Sequence, residues 1–315
     1  MLSAHADRIR RLLPARGLTA ATAPTDLARG WGEEATIQPA ELVEDAALEW
    51  HDVGTAERWP GPVAFLDGTR RSEIVGYCGA APILVAEIAA AVRERLDRTL
   101  VTVVSDRRIV ALGRPRALDQ AGDALAGLER IAIPEDEPIH PARDLNAAGR
   151  ALDRARGALE AAVGARYRAG SGAWLVVDGA LSDHPGWADD PRAVGVAKLH
   201  AALPFEGEAL ERYLRLPAGH RTSVFAPRSR RVAPVRAWAL RLWPWEGKDL
   251  LYGLVRVEVA PANGTPEIAD RLSRWLLAER APVSTPDPRW DRLLYGIHSV
   301  EAYLRASSGR AVTRL

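Results

Sequence analysis

The sequence predicts an α/β protein with one mixed β-sheet covered by helices, and three features of its pattern support this class. Apolar stretches rich in β-branched residues occur early in the chain and again after residue 170. A long segment rich in alanine and leucine, residues 141–170, separates them and predicts a helix. Beyond it, strand-like and helix-like segments alternate, as in a sheet with helices packed against it.

The chain begins with a region of weak periodicity. Residues 3–13 predict a short helix, and little regular pattern follows before residue 60. We therefore expect a helical and irregular lead-in over residues 1–60 and the main domain over residues 61–315. A length of 315 residues allows one large domain or two modest ones.

The main domain opens with segments that predict a β-meander. The stretch GPVAFLDGTRRSEIVGYCGAAP, residues 61–82, predicts a strand from Val63 to Asp67 and then a second strand. Residues 99–112 predict two further strands joined by a turn at Ser105–Arg108. After the helix over 141–170, the later elements follow in order: strands ending at Asp178 and near 193–200, a helix over 206–216, strands near 222–226, 234–243 and 250–260, and helices over 266–280 and 287–307.

Composition narrows the class of protein. The chain is 47% hydrophobic and 26% charged, with a formal net charge of +1, which is typical of a globular protein with a large core. Its one cysteine, Cys78, excludes an internal disulfide and a cysteine-built zinc site. We find no secretory signal and no apolar run near the roughly 18 residues of a membrane span, so we expect a cytoplasmic protein that does not enter a membrane.

Two of the apolar strands run directly into Asp-Gly, at Asp67 and Asp178. A buried aspartate is costly unless something pairs with it. On neighbouring strands the two carboxylates would meet at one sheet edge, and Glu160, late in the preceding helix, would point to the same place. Three such carboxylates repel one another, and a divalent cation with oxygen ligands, Mg²⁺ or Mn²⁺, relieves the repulsion. The alternative is that each Asp-Gly is only a turn.

The order of these segments resembles the NurA nuclease family. The matching stretches are AFLDGT, the helix with Glu160, WLVVDGAL, VGVAKLH and the late helix RLLYGIHSVEAYLRA, over about residues 60–307. Thr69 stands where the family usually has serine. The resemblance implies an RNase H-like core, a manganese-dependent nuclease with Mg²⁺ as a possible substitute, a two-fold homodimer, and a hexameric HerA-type ATPase as partner.

The resemblance also implies a set of site residues. The acidic positions of the family map onto Asp67, Glu160 and Asp178, and later positions map onto Lys198 and His298. A lysine near the scissile phosphate would act as a compact point charge, and the histidine would bind metal or carry a proton. The alternatives are a surface lysine at a strand end and a histidine that only packs.

A loop with several arginines predicts contact with DNA. Arg228, Arg230 and Arg231 would bind backbone phosphates, although such a run is also common on a solvated loop. The function that the resemblance implies is a DNA nuclease, a 5′-to-3′ exonuclease and single-strand endonuclease, in end resection and repair or in phage defence. Two alternatives stay open: a catalytically silent DNA-binding or docking subunit, and another RNase H-like nuclease.

Overall fold

The protein is described by a computed structural model that covers residues 2–20, 36–96, 99–183, 185–198, 202–228, 233–246, 248–280, 292 and 294–307. The strands in this part of the chain are β1 (Thr19–Ala20), β2 (Thr36–Ile37), β3 (Ala40–Leu42), β4 (Trp50–Asp52), β5 (Val63–Cys78), β6 (Ala81–Leu96), β7 (Thr99–Gly113), β8 (Glu129–Ala132), β9 (Trp174–Asp178), β10 (Ala193–Ala197), β11 (Ala202–Leu203), β12 (His220–Thr222), β13 (Phe225–Pro227), β14 (Arg236–Arg241) and β15 (Leu254–Val259). The helices are α1 (Leu2–Leu12), α2 (Pro115–Ala121), α3 (Pro141–Arg168), α4 (Pro185–Ala188), α5 (Gly207–Leu214), α6 (Pro266–Glu279) and α7 (Tyr295–Ser307).

One large mixed sheet organises the molecule. Its main path runs β3-β13-β14-β15-β10-β9-β5-β6-β7-β8. The strands β5, β6 and β7 form an antiparallel meander, whereas β9 pairs parallel to β5 and β10 pairs parallel to β9. In the chain, helix α3 leads from the meander and β8 to β9, which then pairs with β5 on the other side of β5 from β6. The predicted α/β class, a mixed sheet flanked by helices, is confirmed.

Each face of the sheet has its own apolar core. Leu66 and Val177 belong to the cluster beneath α3, whereas Phe65 and Val176 belong to the cluster beneath α6 and α7. The alternation follows because successive side chains of a strand point to opposite faces. Residues two apart on β5 or β9 therefore share a face, and this places the functional side chains described below.

Two of the predicted strand boundaries are wrong. Strand β5 does not end at Asp67 but continues to Cys78, and the expected turn at Ser105–Arg108 lies inside the uninterrupted strand β7. In both places the cross-strand pairing with β6 is continuous, with Asp67 opposite Ala91 and Ser105 also opposite Ala91. Pairing along the whole ladder outweighs the local turn preference of Asp-Gly and Ser-Asp. The first Asp-Gly is therefore not a turn.

Residues from the first 60 positions join the same sheet. Strand β1 pairs with β5, β3 pairs with β13, and β4 pairs with β12. Helix α1 matches the predicted helix closely and packs its apolar side on β5 and β6. Within the described ranges no helix has the length and apolar character needed to cross a membrane.

Candidate metal centre

Asp67 and Asp178 lie side by side on neighbouring parallel strands. The register pairs Leu66 with Val177, and the two aspartates are the next residue on each strand. They share the face of Phe65, two residues earlier on β5, which is the face covered by α7. Strand β9 ends at Asp178 while β5 continues, so the pair marks the edge where the parallel part of the sheet stops.

Glu160 reaches the same edge from the opposite face, because Gly68 has no side chain. Glu160 lies in α3, and it is buried. A Cβ atom on Gly68 would lie only 2.1 Å from Glu160 Oε1. The carboxylate thus occupies the space that a side chain at residue 68 would fill, directly beside Asp67. A glycine at this strand position weakens the strand slightly and leaves the space that the Glu160 carboxylate fills.

Two cations lie among the three carboxylates. Lys198 Nζ is 2.9 Å from Asp178 Oδ1, and the lysine side chain is only 9% exposed. Lys198 follows β10, two residues after Val196, which is paired with Asp178, so it points to the same face. On the other side, Arg156 Nη1 donates to Glu160 Oε1 from one turn earlier in α3. Each cation therefore holds one carboxylate of the group.

The pKa values of Asp67 and Glu160 show how strongly the charged groups of the centre interact. Burial raises the pKa of Asp67 well above its usual range, and the negative charges of Asp178 and Glu160 raise it further, against the opposing effect of Lys198. Burial also raises the pKa of Glu160, to about 7, although Arg156 opposes this. Without another cation, the centre relieves its excess negative charge by keeping protons.

Helix α7 brings a further carboxylate and the predicted histidine to this place. Gly296 sits against the ring of Phe65, and Leu304 O accepts a hydrogen bond from Arg107, near the far end of the helix. Arg107 lies on the same sheet rung as Thr69, so the helix runs along β5 and Glu301 comes level with Asp67. The charge of Glu301 indeed contributes to the raised pKa of Asp67.

His298 lies on the same edge of α7 as Glu301, three residues earlier. Its Nδ1 atom is buried and has no hydrogen-bond partner among the described residues. No contact in this part of the chain joins the imidazole to Asp67, Glu160 or Asp178. The structure therefore brings Asp67, Glu160, Asp178 and Lys198 together, and it places His298 on the adjoining helix.

The donor set fits a divalent cation with oxygen ligands. Three carboxylates face two cations, so negative charge is left over once all three are ionised. Glu160 approaches the aspartates over Gly68 from the other face of the sheet, and the ligand atoms of the three residues do not all lie within 4.8 Å of one another, so a bound ion would have to draw them closer. Carboxylate oxygens are the ligands that Mg²⁺ and Mn²⁺ accept in proteins. The residues that would hold such an ion are Asp67, Glu160 and Asp178.

A second acidic group lies elsewhere and has a structural role. Among the described residues, Glu44, Asp45 and His51 form the one group of three possible ligands whose ligand atoms all lie within 4.8 Å of one another. Arg221 takes both oxygens of Glu44, at 2.7 and 2.8 Å. Asp45 accepts from Ser223 Oγ at 2.7 Å and contacts His51 Nε2 at 2.8 Å. Protein donors therefore already occupy these carboxylates.

The predicted DNA contacts are only partly within the described residues. Arg228 follows β13 with 65% of its side chain exposed, and its Nη2 atom lies 2.9 Å from Glu41 Oε2. Arg230 and Arg231 lie outside the described residues. An exposed pair of this kind costs little to open, so Arg228 stays available to an anionic ligand.

Sequence reasoning missed two residues of the centre, Arg156 and Glu301. Both stand at helical spacing from a residue that it did select: Arg156 is four positions before Glu160, and Glu301 is three positions after His298. Residues at these spacings share one side of a helix. A search for charged residues one turn away from each candidate would have found both.

Comparison with known proteins gives a distant likeness to a solved structure. No protein-family model matches the chain, and no curated protein matches it. Among solved structures it is similar to the crystal structure of the NurA nuclease from Sulfolobus solfataricus, with a TM-score of 0.45 and 11% sequence identity. The alignment covers 84% of this chain and 89% of that chain. A likeness at this TM-score and identity assigns no activity, so the side chains of the centre have to carry any functional conclusion.

Proposed function

We propose that this protein is a metal-dependent nuclease that hydrolyses DNA phosphodiester bonds. One observation carries the proposal: Asp67 and Asp178 stand side by side at the end of the parallel strands, with Glu160 held beside them over Gly68. Buried carboxylates with strongly raised pKa values cluster at functional sites. The resemblance of the sequence motifs to NurA nucleases points to the same chemistry.

Each residue of the centre has a role in this proposal. Mn²⁺ or Mg²⁺, bound by Asp67, Glu160 and Asp178, would activate water and stabilise the leaving oxygen. Lys198 pairs with Asp178 and would offer its remaining ammonium protons to a phosphate oxygen. His298, on α7, is suited to pass a proton to the leaving oxygen because an imidazole can both accept and donate a proton.

The test combines metal binding with cleavage. Full-length protein is titrated with Mn²⁺ by calorimetry and incubated with end-labelled DNA, beside Asp67→Asn, Asp178→Asn and Lys198→Met. We expect Mn²⁺ uptake by the wild type and a loss of cleavage of at least about 100-fold in each variant. The control is Asp7→Asn, since Asp7 is 66% exposed at the surface of α1. Equal cleavage by wild type and the three variants would reject the assigned centre.

A second candidate function is a catalytically silent docking or DNA-binding subunit. Arg156 and Lys198 already neutralise part of the centre, which is the observation that favours it. Absence of Mn²⁺ uptake would support this function. Metal uptake with cleavage of RNA or branched DNA, and none of linear DNA, would instead indicate another RNase H-like nuclease.

The wider setting follows from the resemblance of the sequence motifs. We infer a cytoplasmic homodimer that binds DNA through Arg228, Arg230 and Arg231 and works with a HerA-type hexameric ATPase at DNA ends, in repair or phage defence. Light scattering of the purified protein tests the dimer. Pull-down with a HerA-type hexameric ATPase tests the partner.

A further inference from the structure

Arg156 occupies a position that the metal and the substrate would both affect. Its Nη1 atom donates to Glu160 Oε1 and lies 3.5 Å from the carbonyl oxygen of Gly68. Its Nε atom is 4.0 Å from Asp153 Oδ1. The side chain is 30% exposed, so the guanidinium reaches the centre from the solvent side of α3.

Helix stability does not explain this arrangement. Arg156 precedes Glu160 by four residues, and for such pairs the order with the acid first is the more favourable one. Glu160 is buried, whereas pairs that serve only the helix are normally exposed on its surface. The contact with the Gly68 carbonyl also joins the guanidinium to β5, outside its own helix.

The charges of the whole centre hold the guanidinium in place. Burial lowers the pKa of Arg156, but the carboxylates of Glu160, Asp67, Asp153 and Asp178 outweigh it and leave the pKa raised. A divalent cation at the same carboxylates would repel Arg156 and compete with it for Glu160 Oε1. Once released from Glu160, the partly exposed guanidinium would be free to bind a phosphodiester at the same carboxylates, since its planar fork matches phosphate oxygens.

We propose that Arg156 alternates between two partners: it holds Glu160 in the metal-free protein and binds the substrate phosphate when a cation takes Glu160. This inference rests on the nuclease function proposed above. It predicts effects of opposite sign from one substitution. Removing Arg156 frees Glu160 for the cation and so tightens metal binding, while it removes a phosphate contact and so weakens cleavage.

The test compares Arg156→Gln with the wild type in two separate measurements. Calorimetry with Mn²⁺ and no DNA should give a dissociation constant that is lower by about threefold to tenfold, since a neighbouring positive charge is gone. Cleavage of a single-stranded DNA oligonucleotide at saturating Mn²⁺ should show kcat/KM reduced by about 10-fold to 100-fold. Arg156→Lys keeps the positive charge but lacks the planar guanidinium. Its Mn²⁺ affinity and its cleavage rate should lie between those of the wild type and Arg156→Gln.

Arg70→Gln is the matched control. Arg70 Nε binds the same Asp153, at 2.7 Å, with a side chain as exposed as that of Arg156 and no contact with Glu160. Its Mn²⁺ affinity should equal that of the wild type. Weaker Mn²⁺ binding by Arg156→Gln, or no change in either measurement, overturns the inference about Arg156. If the wild type still cleaves DNA in that case, the proposed nuclease function stands. A wild type that takes up no Mn²⁺ overturns both proposals.

Discussion

The carboxylate of Glu160 stands in the volume that a side chain on Gly68 would occupy, with Oε1 only 2.1 Å from the ideal Cβ position. This relationship connects a helix on one face of the sheet with aspartates on the other. It also explains why the strand carries a glycine in its interior, where glycine packs nothing and costs conformational entropy. The acidic centre depends on that missing side chain.

Gly68→Ala should therefore displace Glu160 without unfolding the sheet. We expect Mn²⁺ affinity to fall by about tenfold, because one carboxylate of the centre is moved, which corresponds to about 1.4 kcal/mol. Calorimetry measures the affinity, and circular dichroism verifies the fold. Gly61→Ala is the control, since a Cβ there meets no atom within 4 Å. Unchanged Mn²⁺ affinity in Gly68→Ala would show that Glu160 is no ligand.

In the metal-free protein, the stability contributed by Glu160 should fall as the pH rises from about 4.5 to about 7. The pKa of Glu160 is raised from 4.5 to about 7, so the folded state binds the proton more tightly than the unfolded state. The protonated Glu160 carboxyl therefore stabilises the folded state, and this contribution is complete below about pH 4.5. Between about pH 4.5 and about pH 7 it is lost, which lowers the free energy of unfolding by up to about 3 kcal/mol.

Glu160→Gln removes this dependence. We expect the Tm difference between variant and wild type, measured with a chelator, to grow in favour of the variant from pH 5 to about pH 7.5, while other titrating groups cancel. Saturating Mn²⁺ should restore the wild type at the higher pH. A wild type that gains Tm relative to the variant as pH rises would contradict the assignment.

Glu301 should strengthen the centre through its charge. Glu301→Gln removes the carboxylate that lies level with Asp67, and we expect Mn²⁺ to bind about threefold to tenfold more weakly. Glu301 also binds Arg305 on its own helix, so the loss of that pair needs a separate control. Arg305→Gln breaks the same pair and leaves the carboxylate in place. If both variants bind Mn²⁺ equally, the charge of Glu301 does not act on the centre.

A buried ion pair at the start of α3 should affect the stability of the protein and nothing else. The Arg114 guanidinium donates two hydrogen bonds of 2.8 Å to the Asp144 carboxylate, and both side chains are buried. Asp144→Ala leaves the guanidinium buried without its partner and should cost about 3–5 kcal/mol of unfolding free energy. Denaturant melts measure this, with Glu137→Gln as the control, because the Arg143–Glu137 pair is exposed and should contribute under about 1 kcal/mol. A loss below about 1 kcal/mol in Asp144→Ala would mean that α3 is anchored elsewhere.

Local patterns in the sequence were sufficient for most elements. The alanine- and leucine-rich segment over 141–170 forms α3, and the β-branched run before Asp178 forms β9. These segments are long or strongly patterned, so local preference and burial agree. The same patterns failed at Asp67 and Ser105, where turn-forming residues lie within long strands, because pairing with β6 is a contact between distant parts of the chain.

The sequence by itself determined which residue types are present: acids after apolar strands, a rare lysine and a histidine on a late helix. Only the tertiary structure decided which of them meet. The register between β5 and β9 sets Asp67 beside Asp178, the packing of α3 brings Glu160 over Gly68, and the course of α7 brings Glu301 level with them. Each of these depends on pairing or packing between segments far apart in the chain, and no local pattern of residues encodes such distances.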